Sequence, residues 1–474
     1  MKPLHELTIK EVLDGYVNKD FTCVDLVRHF QSRIEKCNPK LNIYLALNEN
    51  ALEEAKAIDQ EIAEKGITRP LLGIPFAVKD NFLTKGIVTT ASSNILRDYH
   101  PQYESTVIEK IKNAGALILG KTNMDSFAHG SSTETSDFGP TLNPWNPEKL
   151  PGGSSGGSAA AIAAQLATVA LGSETAGSIR QPAAWCGVTG LKPTYGRASR
   201  YGIIAMASST DSPGPIAKNV EDCAIVTEVI SGNDPKDATT SPSPVEKYTK
   251  SLYSPDLHGV RIGLVKEYLL PNMREDVKNL IYNAVDKLRL LGATVDEISL
   301  MDPRYSIGVY TVIQRSEVSS NLARFDGIRF GHQRDNFCEE SKRRIMLGTY
   351  TLSAGYYDAF YKKAQAVRTK IVSEFDEIFK TYDAVIGAVS PGPALSVGVS
   401  KNQPMFGEME DVLLEPSSIA GLCSVGLPCG FVDDLPIGLQ ITSNQLKEAT
   451  AIKIADCFQR HTEFQLFPDL EKTI

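Results

Sequence analysis

The residues best suited to chemistry in this chain are serines set among glycines. Residues Gly152–Ser158 read GGSSGGS, and after a short alanine-rich stretch Gly177–Pro182 reads GSIRQP. Glycines around a serine let backbone amides and a hydroxyl approach a substrate without interference from a Cβ. The pattern predicts a serine nucleophile, although no histidine accompanies it as an obvious base.

One alternative is the nucleophile elbow of hydrolases that use serine, acid and histidine. The spacing Gly153-x-Ser155-x-Gly157 fits that motif. The elbow directly follows a strand, whereas the preceding residues 143–151 contain three prolines, which a central strand does not accept. The context argues against the elbow, so another kind of base is needed.

Lys79 lies at the end of an apolar run of the sequence. It follows the apolar run Ile74–Val78, which predicts a buried strand that delivers the lysine into the interior. A lysine in water has a pKa of about 10.4, but burial disfavours its charged form and lowers the pKa by several units. Taken alone, a strand-end lysine is more often solvated than buried. The two serine segments favour the buried interpretation.

Three separated blocks of the sequence resemble the amidase signature family. They are GIPFAVKD at Gly73–Asp80, GGSSGGS at Gly152–Ser158 and GSETAGSIRQPA at Gly172–Ala183. The resemblance implies a triad of Lys79, Ser154 and Ser178, in which Ser154 follows a cis peptide bond and Ser178 is the nucleophile. Neutral Lys79 would take a proton from Ser154, which would take one from Ser178.

The loop around Ser178 is expected to stabilise the negative charge that develops during attack. The resemblance assigns the oxyanion hole to the backbone amides of Thr175, Ala176, Gly177 and Ser178. An ordinary structural role for the Ser178 hydroxyl is to cap a helix that begins at Ile179. Both roles are compatible, because a helix N-terminus also presents amides to an anion.

The chain departs from the family at three places. Glu174 replaces an aspartate, Ala176 replaces a glycine, and the segment His332–Ser341 is shorter than its counterpart in relatives. If the family's glycine requires a positive φ, an alanine forced there costs about 1 kcal/mol. The short segment predicts a more open mouth of the substrate site.

Further blocks narrow the resemblance to the glutamine-hydrolysing subunits of tRNA-dependent amidotransferases. These blocks are Gly120–Asp125, Gly130–Ser136, Lys192–Arg197, Ser319–Gly327 and Lys342–Gly348. By motif position the resemblance implies that Arg344 binds the α-carboxylate of glutamine and that Asp411 binds its α-ammonium. It also implies that Tyr310 places a hydroxyl at the rim of the substrate site. Each also has an ordinary role: Arg343-Arg344 as a solvated helix face, Asp411 as a cap, and Tyr310 as core.

The resemblance implies that glutamine is hydrolysed to glutamate and that the ammonia is used elsewhere. A B subunit with ATP and Mg²⁺ would activate Glu-tRNA(Gln) or Asp-tRNA(Asn), and a small C subunit would strap the pair together. No cofactor or metal is expected in this chain.

The chain carries 49 Lys+Arg against 57 Asp+Glu, a net charge of −8 without a long basic run, so tRNA is expected to bind mainly the B subunit. Alternatives are a stand-alone amidase for small or aryl amides and an inactive scaffold.

Composition predicts an intracellular location. The eight cysteines form neither a CxxC pair nor a zinc-like spacing with histidine, which favours the cytoplasm or an organelle matrix. The first residues lack the apolar core of a signal peptide, and no run is long and apolar enough to span a bilayer. Contact with a membrane is therefore not expected.

Apolar runs alternate with amphipathic segments along the chain. Ile74–Val78, 116–119 and Arg261–Val265 predict strands, and Thr106–Asn113 and 276–291 predict helices. The resemblance implies one amidase domain over 1–474, with the signature region at about 70–215. Its expected fold is an α/β amidase signature fold with a mixed, largely parallel central sheet covered by helices on both faces.

One further motif, Gly115–Thr122, matches the phosphate-loop pattern letter for letter. A phosphate loop follows a strand and exposes its amides. Here residues 116–119 are themselves the predicted strand, preceded by the helix Thr106–Asn113, whose first residues resemble a capping box. The context therefore argues against nucleotide binding at this motif.

Overall fold

The fold is built around one large sheet. The computed structural model describes residues 2–329, 331–403 and 405–473. Within them the strands run β1 Tyr44–Leu47, β2 Pro75–Lys79, β3 Leu117–Thr122, β4 Val169–Glu174, β5 Thr189–Lys192, β6 Ser212–Ala217, β7 Arg261–Val265, β8 Thr294–Ile298, β9 Ala384–Ala388, β10 Cys423–Val432 and β11 Leu435–Ser443. They form an 11-stranded sheet in the order β1-β3-β2-β4-β6-β5-β10-β11-β9-β7-β8.

The sheet is mixed, as predicted, but the expectation that it is largely parallel is wrong. Among the described strands, the pairs β2-β3, β2-β4, β7-β8 and β7-β9 are parallel. The other six pairs are antiparallel. One of these is the hairpin β10-β11, which turns through Asp433 and Asp434 with φ of 53° and 59°. Two positive φ values are typical of a type I′ turn, but the sequence offers no Asn-Gly or Asp-Gly signal for it.

Helices connect and cover the strands. The α-helices are α1 Ile9–Asn18, α2 Cys23–Leu41, α3 Ala51–Lys65, α4 Thr106–Asn113, α5 Gly156–Ala163, α6 Arg180–Cys186, α7 Val220–Ile230, α8 Glu275–Leu290, α9 Arg304–Asn321, α10 Glu339–Leu352, α11 Lys363–Ile378, α12 Phe406–Glu410, α13 Glu415–Ile419, α14 Glu448–Arg460 and α15 Leu470–Thr473. A π-helical segment, Tyr357–Lys362, precedes α11. Short 3₁₀ turns lie at Leu4–Glu6, Asn94–Leu96, Ser126–Ala128, Tyr248–Ser251, Lys266–Tyr268, Leu322–Arg324, Arg334–Asn336 and Val399–Asn402. In the described residues no helix combines the length and apolarity needed to cross a membrane.

The predicted elements match the structure closely where the pattern is local. Strand β7 and helix α4 have the predicted bounds, and β2 is shifted by a single residue. The cap of α4 is one residue earlier than expected: the Ser105 hydroxyl accepts from the amide of Ile108. All five residues of β2 are buried, as its apolar run predicted, so Lys79 at its end enters the interior.

The phosphate-loop motif is part of the buried sheet. Its residues from Leu117 onward form β3, which is buried throughout. The Lys121 ammonium donates to the Phe82 carbonyl at 2.6 Å and to Thr89 Oγ1 at 2.7 Å. It also lies 3.5 Å from the Asp80 carboxylate. The lysine of the motif is therefore an internal link between β3 and the loop after β2.

The buried environment of Lys121 predicts a large loss of stability in Lys121→Met. Removal of one partner from a buried ion pair costs about 3–5 kcal/mol, because the other charge is left uncompensated. We expect a clearly lower midpoint of thermal denaturation, followed by circular dichroism. The control Lys65→Met changes an exposed residue at the end of α3 and should leave the midpoint nearly unchanged. Equal midpoints for the two variants would contradict this role of Lys121.

Candidate active site

Lys79 and Ser154 meet in the interior. Lys79 Nζ donates to Ser154 Oγ at 2.8 Å and to the carbonyl of Ser173 on β4 at 2.9 Å. Burial lowers the pKa of Lys79 to about 7, and the carboxylates of Asp125, Asp211 and Glu174 only partly oppose this shift. A substantial fraction of Lys79 is then neutral at pH 7, as a base requires.

Ser154 is held in place through its backbone. The peptide bond between Gly153 and Ser154 is cis, as the resemblance implied. The amide of Asp125 donates to the Ser154 carbonyl at 3.3 Å. The Asp125 carboxylate accepts in turn from the amide of Ser132 at 3.1 Å. The sequence places Asp125 in one of the blocks that carry the resemblance but gives no indication of this supporting role.

Ser178 lies in the turn between β4 and α6. It is almost fully buried, and its carbonyl accepts from the amide of Ser155 at 3.2 Å. Its hydroxyl does not cap α6, because the Glu174 carboxylate accepts from the amides of Ile179 and Arg180 at 3.0 and 3.1 Å. Within the described chain no hydrogen bond joins the hydroxyls of Ser154 and Ser178. Of the predicted proton path, the contact between Lys79 and Ser154 is therefore present as a hydrogen bond in the described chain.

The turn that carries Ser178 is fixed by a buried ion pair. Arg180 Nε and Nη2 donate to Glu174 Oε1 at 2.9 and 2.6 Å, and both side chains are fully buried. Arg180 Nη2 also donates to the Ala176 carbonyl at 3.1 Å. Thr175 is anchored separately, by its hydroxyl to Asp211 Oδ1 at 2.7 Å.

Ala176 is unstrained. Its φ is not positive, so the expected cost of alanine at this position does not arise. Within the described chain the amides of Ala176, Gly177 and Ser178 donate no hydrogen bond. The Ala176 carbonyl and the Gly177 amide belong to the same trans peptide and therefore point in opposite directions. Because the carbonyl faces Arg180, the Gly177 amide points away from Arg180. Unpaired amides of this kind can stabilise an oxyanion, which is the role that the resemblance assigns to this loop.

Ser155 has a structural position. Its hydroxyl donates to the Ser173 carbonyl at 3.2 Å and accepts from the Ser173 amide at 3.4 Å. It therefore links the start of α5 to β4. Lys79 makes no hydrogen bond to it within the described chain.

Asp411 lies directly against the Ser178 loop. A Cβ on Gly177 would collide with Asp411 Oδ1, so glycine is required there by close approach. Asp411 Oδ2 accepts from the Ser131 hydroxyl at 2.7 Å, whereas Oδ1 is buried without a partner in the described residues. Burial raises the pKa of Asp411 well above its ordinary value, and the Ser131 hydrogen bond opposes this only in part. A cation beside Oδ1 would restore the carboxylate.

Arg344 and Tyr310 lie in the same buried region. Arg344 Nε donates to Glu340 at 2.7 Å, and its Nη2 lies 3.7 Å from Glu408. Burial alone would lower the pKa of Arg344, but the charges of Glu408 and Glu340 outweigh it and raise the pKa. Burial raises the pKa of Tyr310 well above its ordinary value, with Arg344 and Asp411 among the charges that act on its hydroxyl. The three predicted substrate residues are thus brought together.

The Arg343-Arg344 pair divides between surface and interior. The Arg343 side chain is 62% exposed and that of Arg344 only 4%. A solvated helix face therefore describes Arg343 but not Arg344. Sequence reasoning missed three side chains of this region: Ser131, Arg315 and Glu408. Among the described residues no cluster of three or more His, Cys, Asp or Glu is arranged to hold a metal ion.

Comparisons with known proteins find similarity over most of the chain. The family model described as Amidase matches residues 25–452. The A subunit of glutamyl-tRNA(Gln) amidotransferase from Geobacillus thermodenitrificans (strain NG80-2) is 46% identical to the chain over 477 residues, 97% of this chain and 98% of that protein.

Solved structures show the same similarity. The A subunit of glutamyl-tRNA(Gln) amidotransferase from Thermotoga maritima gives a TM-score of 0.84 at 37% identity, covering 99% of this chain and 98% of that one. The native peptide amidase from Stenotrophomonas maltophilia gives 0.85 at 29% identity, covering 97% and 98%. One component of an amidotransferase and one peptide amidase therefore have nearly the same fold as this chain.

The nucleophile can be identified by comparing two serines. Ser178→Ala should abolish covalent labelling by a fluorophosphonate probe and amide hydrolysis, because it removes the hydroxyl that attacks the substrate in the predicted triad. Ser155→Ala should keep substantial turnover, since Ser155 only links α5 to β4. Peptide mass spectrometry of the labelled chain is the measurement. A label on Ser155 would refute the predicted triad.

The buried amine of Lys79 predicts the pH dependence of hydrolysis. Only neutral Lys79 accepts a proton, so kcat/KM should rise about tenfold per pH unit at low pH. It should level off above the Lys79 pKa of about 7. Initial rates measured from about pH 5 to about pH 9 give this profile. This is roughly the range in which the protein is expected to stay folded. A profile without an inflection near pH 7 would exclude Lys79 as the base.

Proposed function

The chain belongs to the amidase signature family, and on that premise we propose that it is a glutaminase, the A subunit of a tRNA-dependent amidotransferase. The observation that supports this assignment is the contact of Asp411 with Gly177. It sets a buried, half-unpartnered carboxylate beside the nucleophile loop. A substrate that carries no ammonium near its amide group leaves the Asp411 carboxylate without a counter-charge. The α-ammonium of glutamine, in contrast, pairs with that carboxylate.

The proposed reaction uses the triad in two stages. Ser178 Oγ attacks the side-chain amide carbon of glutamine while Lys79, through Ser154, takes its proton. The free amides of Ala176, Gly177 and Ser178 stabilise the oxyanion. The proton returns to the leaving nitrogen, the C–N bond breaks and ammonia departs. Water then attacks the acyl-enzyme by the same proton path and releases glutamate.

Substrate orientation follows from the charges around the pocket. Arg344 makes no hydrogen bond through Nη1 or Nη2 within the described chain, so its fork is available to the α-carboxylate. Asp411 Oδ1 takes the α-ammonium, and the Tyr310 hydroxyl lies near both. The side-chain amide of glutamine is thereby directed to Ser178.

The fate of the ammonia depends on partners. In this proposal it is transferred to a B subunit, which activates Glu-tRNA(Gln) or Asp-tRNA(Asn) with ATP and Mg²⁺, and a small C subunit holds the two together. The amidotransferase components to which the chain is similar support this arrangement. The net charge of −8 favours tRNA recognition by the B subunit. The eight unpaired cysteines support a cytoplasmic or organelle-matrix location.

A stand-alone amidase is the second candidate, favoured by the similarity to the peptide amidase. It would use the same triad on a substrate without a free carboxylate. The two candidates differ in what Arg344 contributes.

Arg344→Ala separates the two candidates. It should raise KM for glutamine by about tenfold or more, since a charge-assisted hydrogen bond contributes about 1.5–3 kcal/mol. Hydrolysis of an uncharged nitroanilide should hardly change. Steady-state kinetics on the chain co-expressed with its partner subunits measure both. The control is Lys342→Ala, which removes a cation on α10 that pairs with Glu339, and it should change the KM of neither substrate. If Arg344→Ala reduced the hydrolysis of glutamine and of the nitroanilide equally, the stand-alone amidase would be favoured.

A further inference from the structure

A second arginine lies beside Arg344 and takes no part in the proposal so far. Arg315, on α9, is 5% exposed. A Cβ on Gly348 of α10 would collide with the Arg315 carbonyl, so the two helices cross in close contact at this residue. Arg344 lies one turn before Gly348 on the same buried face of α10. The crossing therefore places both guanidinium groups between the same two helices.

Glu408 lies between the two guanidinium groups. Arg315 Nη2 donates to Glu408 Oε1 at 2.8 Å. Arg344 Nη2 lies 3.7 Å from the same oxygen. Burial raises the pKa of Glu408, but the charges of Arg344 and Arg315 outweigh it and hold the pKa below its ordinary value. One carboxylate is thus shared by two cations in the absence of substrate.

Arg315 has more donors than this contact uses. Its Nε and Nη1 are buried and have no partner in the described residues. A buried charged donor without an acceptor is more unfavourable than a neutral one. Burial, followed by the charge of Arg344, lowers the pKa of Arg315, although the charges of Glu408 and Glu340 oppose this shift. An additional anion at this position would relieve both costs.

The space for an anion lies on the Arg344 side. A cavity of about 70 Å³ is lined by His129, Arg344 and Glu408, among others. His129 Nε2 is buried and unpartnered in the described residues, while its Nδ1 pairs with the Ser341 hydroxyl at 2.9 Å. Burial, together with the charges of Arg344 and Arg315, lowers the pKa of His129 well below its ordinary value, so the ring is neutral. Nε2 then offers a hydrogen-bonding group without a competing charge.

We propose that Arg315 is a specificity-determining residue, which binds the α-carboxylate of the substrate jointly with Arg344 and selects free amino acids over amide-capped ones. This inference rests on the proposed glutaminase function. The ligand carboxylate enters from the cavity beside Arg344 and Glu408 and accepts from Arg344 and from a donor of Arg315 that Glu408 does not use. Glu408 remains as the counter-charge that keeps two buried cations close together before the ligand arrives.

The opposite charge of the ligand also finds partners in this region. Asp411 Oδ1 and both oxygens of Glu415 are buried without partners in the described residues. The charges of Glu408, Asp411 and Arg315 all act on Glu415, which places it in the same cluster. Two guanidinium groups and two unpaired carboxyls match a zwitterion. An amino acid whose α-carboxylate is capped as an amide can pair with the carboxyl groups of the protein, but not with its guanidinium groups.

The test compares L-glutamine with L-glutamine α-amide, which differ only in the carboxylate. In Arg315→Met, made in the chain co-expressed with its partners, KM for glutamine should rise by about tenfold or more while KM for the α-amide stays within about twofold. The kcat for both should change less than KM. Arg315→Lys should recover part of the affinity for glutamine. The control Arg197→Met removes another buried arginine, one that binds Tyr248 and the carbonyls of Ser243 and Pro244, and should not discriminate between the substrates.

A binding measurement makes the test independent of turnover. Free L-glutamate should raise the thermal denaturation midpoint of the parent and of Arg197→Met, but not that of Arg315→Met or Arg344→Met. The inference would be overturned if Arg315→Met raised KM equally for both substrates and glutamate still raised its denaturation midpoint. Arg315 would then have only a structural role. If Arg344→Met also fails to discriminate, the proposed function fails with it. Discrimination by Arg344→Met alone refutes only the role of Arg315.

Discussion

The chemistry of this site depends on placing an amine in the interior without an acid partner in contact. Lys79 ends a strand whose five residues are all buried, and its ammonium is met by a hydroxyl and a carbonyl rather than by a carboxylate. Desolvation then lowers its pKa, and no contact ion pair cancels the effect. Lys121, on the neighbouring strand β3, shows the contrast. It is equally buried, but it lies 3.5 Å from Asp80 and serves the structure. Burial lowers the pKa of Lys121 too, to about 8, so the hydrogen bond to the Ser154 hydroxyl, rather than the pKa alone, distinguishes Lys79 as the candidate base.

The nucleophile loop uses the opposite arrangement, a fully paired buried ion pair. Glu174 binds both the Arg180 side chain and the first amides of α6, so the helix needs no cap from Ser178. This frees the Ser178 hydroxyl and leaves three successive amides without partners in the described chain. A glutamate in place of the expected aspartate and an alanine in place of glycine are compatible with that geometry, since Ala176 has an ordinary φ. The departures from the family change side chains around the loop without straining its backbone.

Local periodicity predicted the elements near the site but not the contacts between them. The bounds of β7 and α4 followed from apolar spacing, and the position of Lys79 followed from the run before it. Strand direction was predicted poorly, because it depends on turns such as Asp433-Asp434 whose sequence carries no strong signal. Arg344 was predicted only by resemblance. The buried residues of α10 are Ser341, Arg344, Gly348 and Thr351, which have helical spacing but no apolar side chain for a hydrophobic pattern to detect. The partner of Arg315, Glu408, is 93 residues away and invisible to any local pattern.

The incomplete pairing of the substrate region explains how the site can be selective. Most buried polar groups in proteins are satisfied, so unpartnered atoms on Asp411, Glu415 and Arg315 in one region are unusual. A ligand that supplies the matching charge pairs with these atoms, whereas one without that charge does not. Discrimination then comes from the groups that a wrong substrate leaves unpaired, which is a stronger effect than a lost contact in an apolar pocket. Because Asp411 contacts Gly177 directly, the carboxylate proposed to pair with the ligand also borders the loop that carries Ser178, so in this proposal recognition and positioning depend on one close approach.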